Sequence, residues 1–332
     1  MGEEIRVTSN LTKFQKQLCN ALQNGVPICA RPFAEIAECL NVDQEQVLRE
    51  ASGLIEAGVI RRISATVDYR ALGKTSTLVT AHVPQESVRE VAEAVNSLDG
   101  VSHNYLRNHH YNMWFTLQAD TAAQIDATLA DLSERFGFGF HSLPVKRFFK
   151  LYVLFDAESE SEVLLRDVQR IPKCEVVELS DEQKLVLSQL QRPLELTAEP
   201  FDLPYGGGVE HRDALKIITG LIDAGVIRRI AAVVNHRKLG FVANAMFAGE
   251  VPQDRIVGAG ERLASLGIVS HCYERETFES WPYNLFAMCH GRSMDQIRHV
   301  VSKFTEAEKV NSFELLETAA ELKKKPVKHT FG

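Results

Sequence analysis

Residues 54–73 read LIEAGVIRRISATVDYRALG, and residues 221–240 read LIDAGVIRRIAAVVNHRKLG. Fourteen of these twenty positions are identical. Two weaker echoes follow in the same order. SLDGVSHNYLR (97–107) is answered by SLGIVSHCYER (265–275), and YNMWF (111–115) by YNLFA (283–287), with four extra residues in the second copy. Three ordered matches make the chain a tandem duplication, with repeats at roughly 10–157 and 175–325.

Each repeat opens with helical signals. In the first, LTKFQKQLCNALQNG and PFAEIAECLN have helical apolar spacing, and DQEQVLREASGLIEAG is framed by Asp43 as N-cap and Gly58 as stop. VIRRISATVDYRALG alternates, as a two-stranded wing would. Beyond it the pattern is strand (75–83), helix (86–98), strand (101–107), strand (111–119), helix (121–137) and strand (147–155). That β-α-β-β-α-β order is ferredoxin-like. The expected fold class is α+β, each copy a winged helix-turn-helix followed by a ferredoxin-like βαββαβ domain. The boundaries are 1–73 and 74–157, a linker at 158–180 with a short helix over VLLRDVQR, then 181–240 and 241–332. This succession resembles the Lrp/AsnC family of regulators, with GVIRRISATVDYRALG in the place of that family's wing and linker.

Composition narrows the function. The chain has 332 residues, 45% of them hydrophobic, and a formal charge of −7, which argues against a protein that coats nucleic acid. The polar opening MGEEIRVTSN is unlike a signal peptide, and no apolar run approaches a bilayer span, so a cytoplasmic protein with no membrane partner is expected. The six cysteines form neither a C-x-x-C pair nor a Cys/His cluster, and read as reduced thiols. DNA reading is disfavoured twice. The first recognition-helix position begins with Asp43 and Glu45, the wrong sign for phosphate, and its second-repeat equivalent is interrupted by Pro204 and Gly206–Gly208. No nucleic-acid partner is expected.

The unusual chemistry lies in two matched segments. RNHHYNMWFTL (107–117) gathers Arg107, His109, His110, Tyr111, Asn112 and Trp114, and ERETFESWPYNLFAMCHG (274–291) gathers Arg275, Trp281, Tyr283, Asn284 and His290. The pair resembles sirohaem decarboxylases, in which one Lrp/AsnC-like unit carries R-x-H-x-Y-N-x-W-F and its partner W-P-Y-N-L-F…H-G. Both occur on this chain, as in the fused form. The resemblance implies removal of carbon dioxide from the C12 and C18 acetates of sirohaem, for an alternative haem or a nitrite-reductase haem. It implies no cofactor beyond the iron carried by the substrate, and an intramolecular pseudo-dimer whose further oligomerisation stays open. One departure stands out. Asn108 occupies a position that is often acidic in the family, which puts the tuning of the next histidine in doubt.

Such a substrate needs guanidinium forks for its carboxylates, apolar walls for the ring and a proton donor for each CH2 left by decarboxylation. Arg61 and Arg62, repeated as Arg228 and Arg229, are candidate clamps, although strand alternation sends neighbours to opposite faces. Arg107 and Arg275 are a second pair, with surface ion pairing as the alternative. His109 is expected to be the catalytic histidine, as proton donor or iron ligand, sharing strand parity with Arg107 and Tyr111. His103 and His271, each in VSHxYxR, lie in line with a tyrosine and an arginine and suit either a pocket rim or a half-buried sheet face. His110, Trp281, Tyr283 and His290 complete the substrate-binding candidates, whereas Trp114, Phe115, Phe148 and Phe149 read as core. A non-catalytic tetrapyrrole-binding regulator and an Lrp/AsnC-type transcription factor are the competing functions.

Overall fold

The computed structural model describes residues 11–151, 154–158, 175–205, 209, 211–325, 327 and 329, with the backbone alone of 211–212. The first repeat begins with α1 (Lys13–Asn24), α2 (Pro32–Leu40) and α3 (Gln44–Glu56). Thr12 and Gln15 form a capping box on α1, and the Asp43 carboxylate accepts the Gln46 N–H at 2.7 Å to start α3. The second repeat has α6 (Asp181–Leu190) and α7 (His211–Asp223), with no helix between them among the described residues. The Gly206–Gly208 interruption and the linker helix over VLLRDVQR lie outside the described residues.

The segment expected to fold back as a two-stranded wing does not. It forms one strand per repeat, β1 (Ile60–Val67) and β6 (Ile227–Val234), which pair antiparallel with each other. Ser64 faces Ala231, its own repeat equivalent, so a pseudo-twofold axis runs through that pair. Pairing with the sister strand satisfies the backbone groups that a local hairpin would otherwise have to satisfy. Val26 N–H donates to Ile230 O and Leu194 N–H to Ile63 O, both at 2.7 Å, and the helices of both repeats share one apolar core with these strands.

The α+β half of the first repeat runs β2 (Thr75–Ala81), α4 (Val88–Ser97), β3 (Val101–Arg107), β4 (Met113–Ala119), α5 (Ala122–Phe136) and β5 (Phe140–Lys150). The second runs β7 (Ala243–Gly249), α8 (Ile256–Ser265), β8 (Val269–Arg275), β9 (Leu285–Gly291), α9 (Met294–Glu308) and β10 (Phe313–Lys324). The last strand of the first repeat starts seven residues earlier than the apolar run at 147–155 suggests. Pro144 disguises it, because proline lacks a ladder donor and marks strand edges. Here Pro144 stands where β5 leaves β2 and takes up β8. β10 changes partner in the same way, from β7 to β3. Each repeat therefore lends its last strand to the other, and the eight strands close in the order β10-β3-β4-β2-β5-β8-β9-β7. Helices cover the outer faces over two separate cores, and a third apolar cluster, built on Trp114, Trp281, Phe286 and Leu316, fills part of the lumen. Among the described residues no helix is long and apolar enough to cross a membrane.

Candidate active site

Strand alternation points His103, Tyr105 and Arg107 of β3 into the lumen, and His271, Tyr273 and Arg275 of β8 opposite them. Each triplet is a ladder. His103 stacks on Tyr105 and His271 on Tyr273, at 6.2 Å in both cases. Arg107 lies 5.4 Å from the Tyr105 ring centre and Arg275 4.7 Å from that of Tyr273. The arginines are not on the surface. Arg107 is 4% and Arg275 8% exposed, and each gives an Nη1 proton to a main-chain carbonyl at 2.8 Å, Leu316 and Leu143 respectively. Burial pulls both guanidinium groups down to about 10, and no ion pair among the described residues holds either.

His103, Tyr105, His271, Tyr273 and His290 are almost wholly surrounded by protein yet retain accessible surface. They line a recess rather than a packed core. At its mouth stand Arg61, Arg62, Arg228, Arg237 and Lys324, and their charges, with burial, depress the histidines. Burial first, then neighbouring cations, brings His103 down to about 4 and His236 and His271 to about 3, and holds His290 well below its usual range. Arg107 Nε, Arg275 Nε, Trp281 Nε1, His236 Nε2 and His290 Nδ1 are buried without a hydrogen-bond partner. Orphaned polar nitrogens beside Arg61, Arg62 and Arg237, which pair with no carboxylate among the described residues, describe a site built for a polar, anionic ligand.

At the opposite end the two family-like segments meet. Trp281 lies 5.5 Å from His109, 5.8 Å from Tyr111, 5.2 Å from Trp114 and 4.8 Å from Tyr283, between ring centres. The Tyr111 hydroxyl is 2.5 Å from Ser280 Oγ, tying the two loops together. Asn112 and Asn284 play one role in the two repeats. Each amide bonds both main-chain groups of a single residue, Val83 or Val251, and so anchors its loop.

Family-model comparison matches an AsnC-like ligand binding domain at residues 71–150 and 238–323, and a siroheme decarboxylase NirDL-like HTH domain at 15–61. A siroheme decarboxylase of Hydrogenobacter thermophilus is 33% identical over 317 residues, 94% of each chain. The crystal structure of the siroheme decarboxylase NirDL superposes with a TM-score of 0.74 at 30% identity, covering 96% of this chain and 94% of that one. The same protein in co-complex with an iron-uroporphyrin III analogue gives 0.73 at the same identity and coverage. The chain belongs to the sirohaem decarboxylase family.

Against that family's expected residues, the structure divides the candidates into two groups. Arg107, Arg275, His103, His271 and His290 share the lumen with the arginines at its mouth, while His109, Tyr111, Trp281 and Tyr283 gather at the aromatic end. The four-residue step from His103 to Arg107 spans about 13 Å of strand. The parity that was to align His109 with Arg107 fails, because β3 ends at Arg107 and His109 N–H turns back to the Arg107 carbonyl at 3.0 Å. His109 Nδ1 accepts the Tyr111 N–H at 3.0 Å, so the neutral ring carries its proton on Nε2. In that arrangement His109 has a proton to give and no lone pair for iron. His110 stands at the rim of the aromatic end; it is exposed, meets the Tyr111 ring edge-on at 5.1 Å and stacks on His82 at 4.1 Å.

The wing arginines also depart from simple alternation. A register shift between Ile60 and Arg62 breaks the pleat, and both Arg61 and Arg62 act on His103. Arg228 Nε bonds Asp68 at 3.1 Å, and Arg229 Nη1 bonds Gln23 O at 3.2 Å. Phe148, read as core, instead lies under Arg70 at 4.6 Å and against Tyr273 at 5.7 Å. Sequence reasoning missed His236, Arg237 and Lys324, as well as Phe155, which packs on His236 at 5.4 Å and His290 at 5.2 Å. The signal for His236 was the place where the repeat itself diverges, DYR against NHR, and Arg237 repeats Arg70.

Proposed function

We propose that this protein decarboxylates sirohaem, removing the C12 and C18 acetate carboxyls to give 12,18-didecarboxysirohaem. The observation that carries the reading is the lumen, where two His–Tyr–Arg ladders with orphaned nitrogens lie beneath Arg61, Arg62 and Arg237, none of which pairs with a carboxylate among the described residues. Sirohaem brings eight carboxylates, and an iron-porphyrin bound to a relative of the same fold supports a tetrapyrrole here. In each half-reaction the bond from CH2 to the carboxylate carbon breaks, CO2 leaves, and the electron pair stays on CH2 in conjugation with the macrocycle. One proton then completes the methyl group, so no oxidant is needed.

Arg107, Arg275, Arg61, Arg62 and Arg229 are the carboxylate grips, Arg228 being held by Asp68, and Trp281, Tyr283 and Tyr111 close the aromatic end. His109 is oriented as a proton donor, and His103 and His271 are donors that the incoming carboxylates would recharge by offsetting the cations around them. Iron is better served by His290 than by His109. Ser270 Oγ gives its proton to Met288 O at 3.1 Å, so His290 Nε2, 3.0 Å away, is the donor to Ser270, and Nδ1 keeps a free lone pair. Strand orders β5-β2-β4-β3 and β10-β7-β9-β8 support reading each α+β half as ferredoxin-like, with boundaries near residues 74–157 and 241–332. Anaerobic incubation with sirohaem, followed by mass analysis, tests the proposal. Loss of two CO2 supports it, and tight binding with unchanged mass would instead make the protein a tetrapyrrole sensor.

A further inference from the structure

The recess has nearly twofold symmetric walls, and a macrocycle lying across the axis could enter in either of two poses related by that axis. Only differences between the walls can choose between them. The sharpest difference lies at two equivalent backbone positions. Asp68 N–H donates to Val226 O at 2.9 Å, and Asn235 N–H donates to Val59 O at 2.8 Å, so the two residues hold matching places in the repeat.

Their side chains do opposite things. The Asp68 carboxylate, 1% exposed, accepts Arg70 Nη2 at 2.6 Å, Arg70 Nε at 3.0 Å and Arg228 Nε at 3.1 Å. It occupies the very arginines that flank the Tyr273 ladder. At the other rim Asn235 is neutral, its Oδ1 is buried without a partner, and no ion pair among the described residues engages Arg61, Arg62 or Arg237. Lys324 adds a fourth cation there, and among the described residues its ion-pair partner is Glu321, at 3.7 Å. The neighbouring positions diverge in the same sense, with Tyr69 on the closed rim and His236 on the open one.

We infer that Asp68 fixes the orientation of the bound substrate: it stands in for a substrate carboxylate between Arg70 and Arg228, leaving the rim of Arg61, Arg62, Arg237 and Lys324 to take the substrate's own. Asp68 is thus a specificity-determining residue that touches arginines rather than the reacting atoms. The inference rests on sirohaem binding in the lumen, as proposed above.

The decisive experiment exchanges the two residues. Sirohaem is bound to the wild type, to Asp68→Asn, and to the reciprocal pair Asp68→Asn with Asn235→Asp. Paramagnetically shifted ring-substituent resonances count the orientations, and early-quenched reactions identify which monodecarboxylated isomer forms. A charge-assisted contact present in one pose only biases it about tenfold or more. The wild type should therefore show one dominant set, Asp68→Asn two sets within about threefold of each other, and the reciprocal pair the opposite set with the opposite isomer. An unchanged dominant set and isomer in the reciprocal pair overturns the inference, as do two comparable sets in the wild type. If the reciprocal pair fails to fold, Asn235→Asp alone keeps every Asp68 bond and closes the open rim. It should weaken sirohaem binding about tenfold or more, and wild-type affinity in that variant overturns the inference. Failure of the wild type to bind sirohaem at all would refute the functional reading itself and is told apart by that result.

Discussion

Replacing Arg107 with methionine should leave the protein about as stable and much worse at holding its substrate. The Arg107 guanidinium is buried, and its contacts are neutral: Leu316 O at 2.8 Å, Thr318 Oγ1 at 3.2 Å, Met288 Sδ at 3.9 Å and the Tyr105 ring. Its fall from 12.5 to about 10 means that burial disfavours the charged form. At neutral pH the group is charged in both folded and unfolded chains, so the whole shift, about 3 kcal/mol, opposes folding. Methionine relieves that but gives up two charge-assisted hydrogen bonds worth about 1.5 kcal/mol each. The two terms nearly cancel, so Tm should stay within a few degrees, about 1–3 °C. The substrate, by contrast, loses a charge-assisted carboxylate contact worth about 1.5–3 kcal/mol, so Kd should rise about 10–150-fold. Thermal unfolding without ligand and a spectral titration with sirohaem read the two effects separately. A Tm loss beyond about 5 °C with unchanged Kd would show that Arg107 serves the fold, and the argument would be wrong.

His103, His236 and His271 bind fewer protons folded than unfolded below pH 6.5, so the free protein should lose stability as pH falls from about 6.5 towards 4. Saturating sirohaem should flatten that loss in urea titrations at pH 7, 6 and 5, and equal slopes with and without ligand would contradict the recharging of the histidines. His109→Ala should fold and bind but decarboxylate about 10²–10⁴-fold more slowly with the spectrum of bound sirohaem unchanged, whereas His290→Ala should alter that spectrum. A normal rate in His109→Ala would remove His109 from the chemistry. Footprinting at physiological salt should find no specific DNA site, since Asp43 and Glu45 are exposed at the start of α3, and a tight footprint would reverse that conclusion.

Local sequence carried the elements well wherever one repeat could be read against itself. The cap at Asp43 and the in-line His-Tyr-Arg triplets follow from short-range pattern, and the ladders stand as that spacing requires. What could not be read was pairing between the repeats. A strand that alternates like a hairpin half gives no sign that its partner lies in the other repeat, as for Ile60–Val67 and Ile227–Val234. For the same reason the sequence could not decide whether Arg107 and Arg275 meet a ligand or form surface ion pairs. They become lumen residues only because the barrel closes through strands borrowed across the duplication. His109 failed as a strand residue because the turn after Arg107 abolishes the parity used to aim it.

Closure of this barrel needs both repeats, and that bears on why they share one chain. β5 and β10 each leave their own sheet to complete the other, and β1 finds its partner only in β6, so neither repeat alone could enclose the recess. Two identical subunits could form the same barrel, but any substitution would then appear on both rims at once. An Asp68 in both copies would close both rims, and an Asn235 in both would leave two equivalent ways into the recess. A covalent or obligate pairing of unlike halves permits one rim of each kind. The conserved geometry of the repeat and its divergence at DYR and NHR are therefore complementary: the first builds the symmetric cage, and the second gives it a direction.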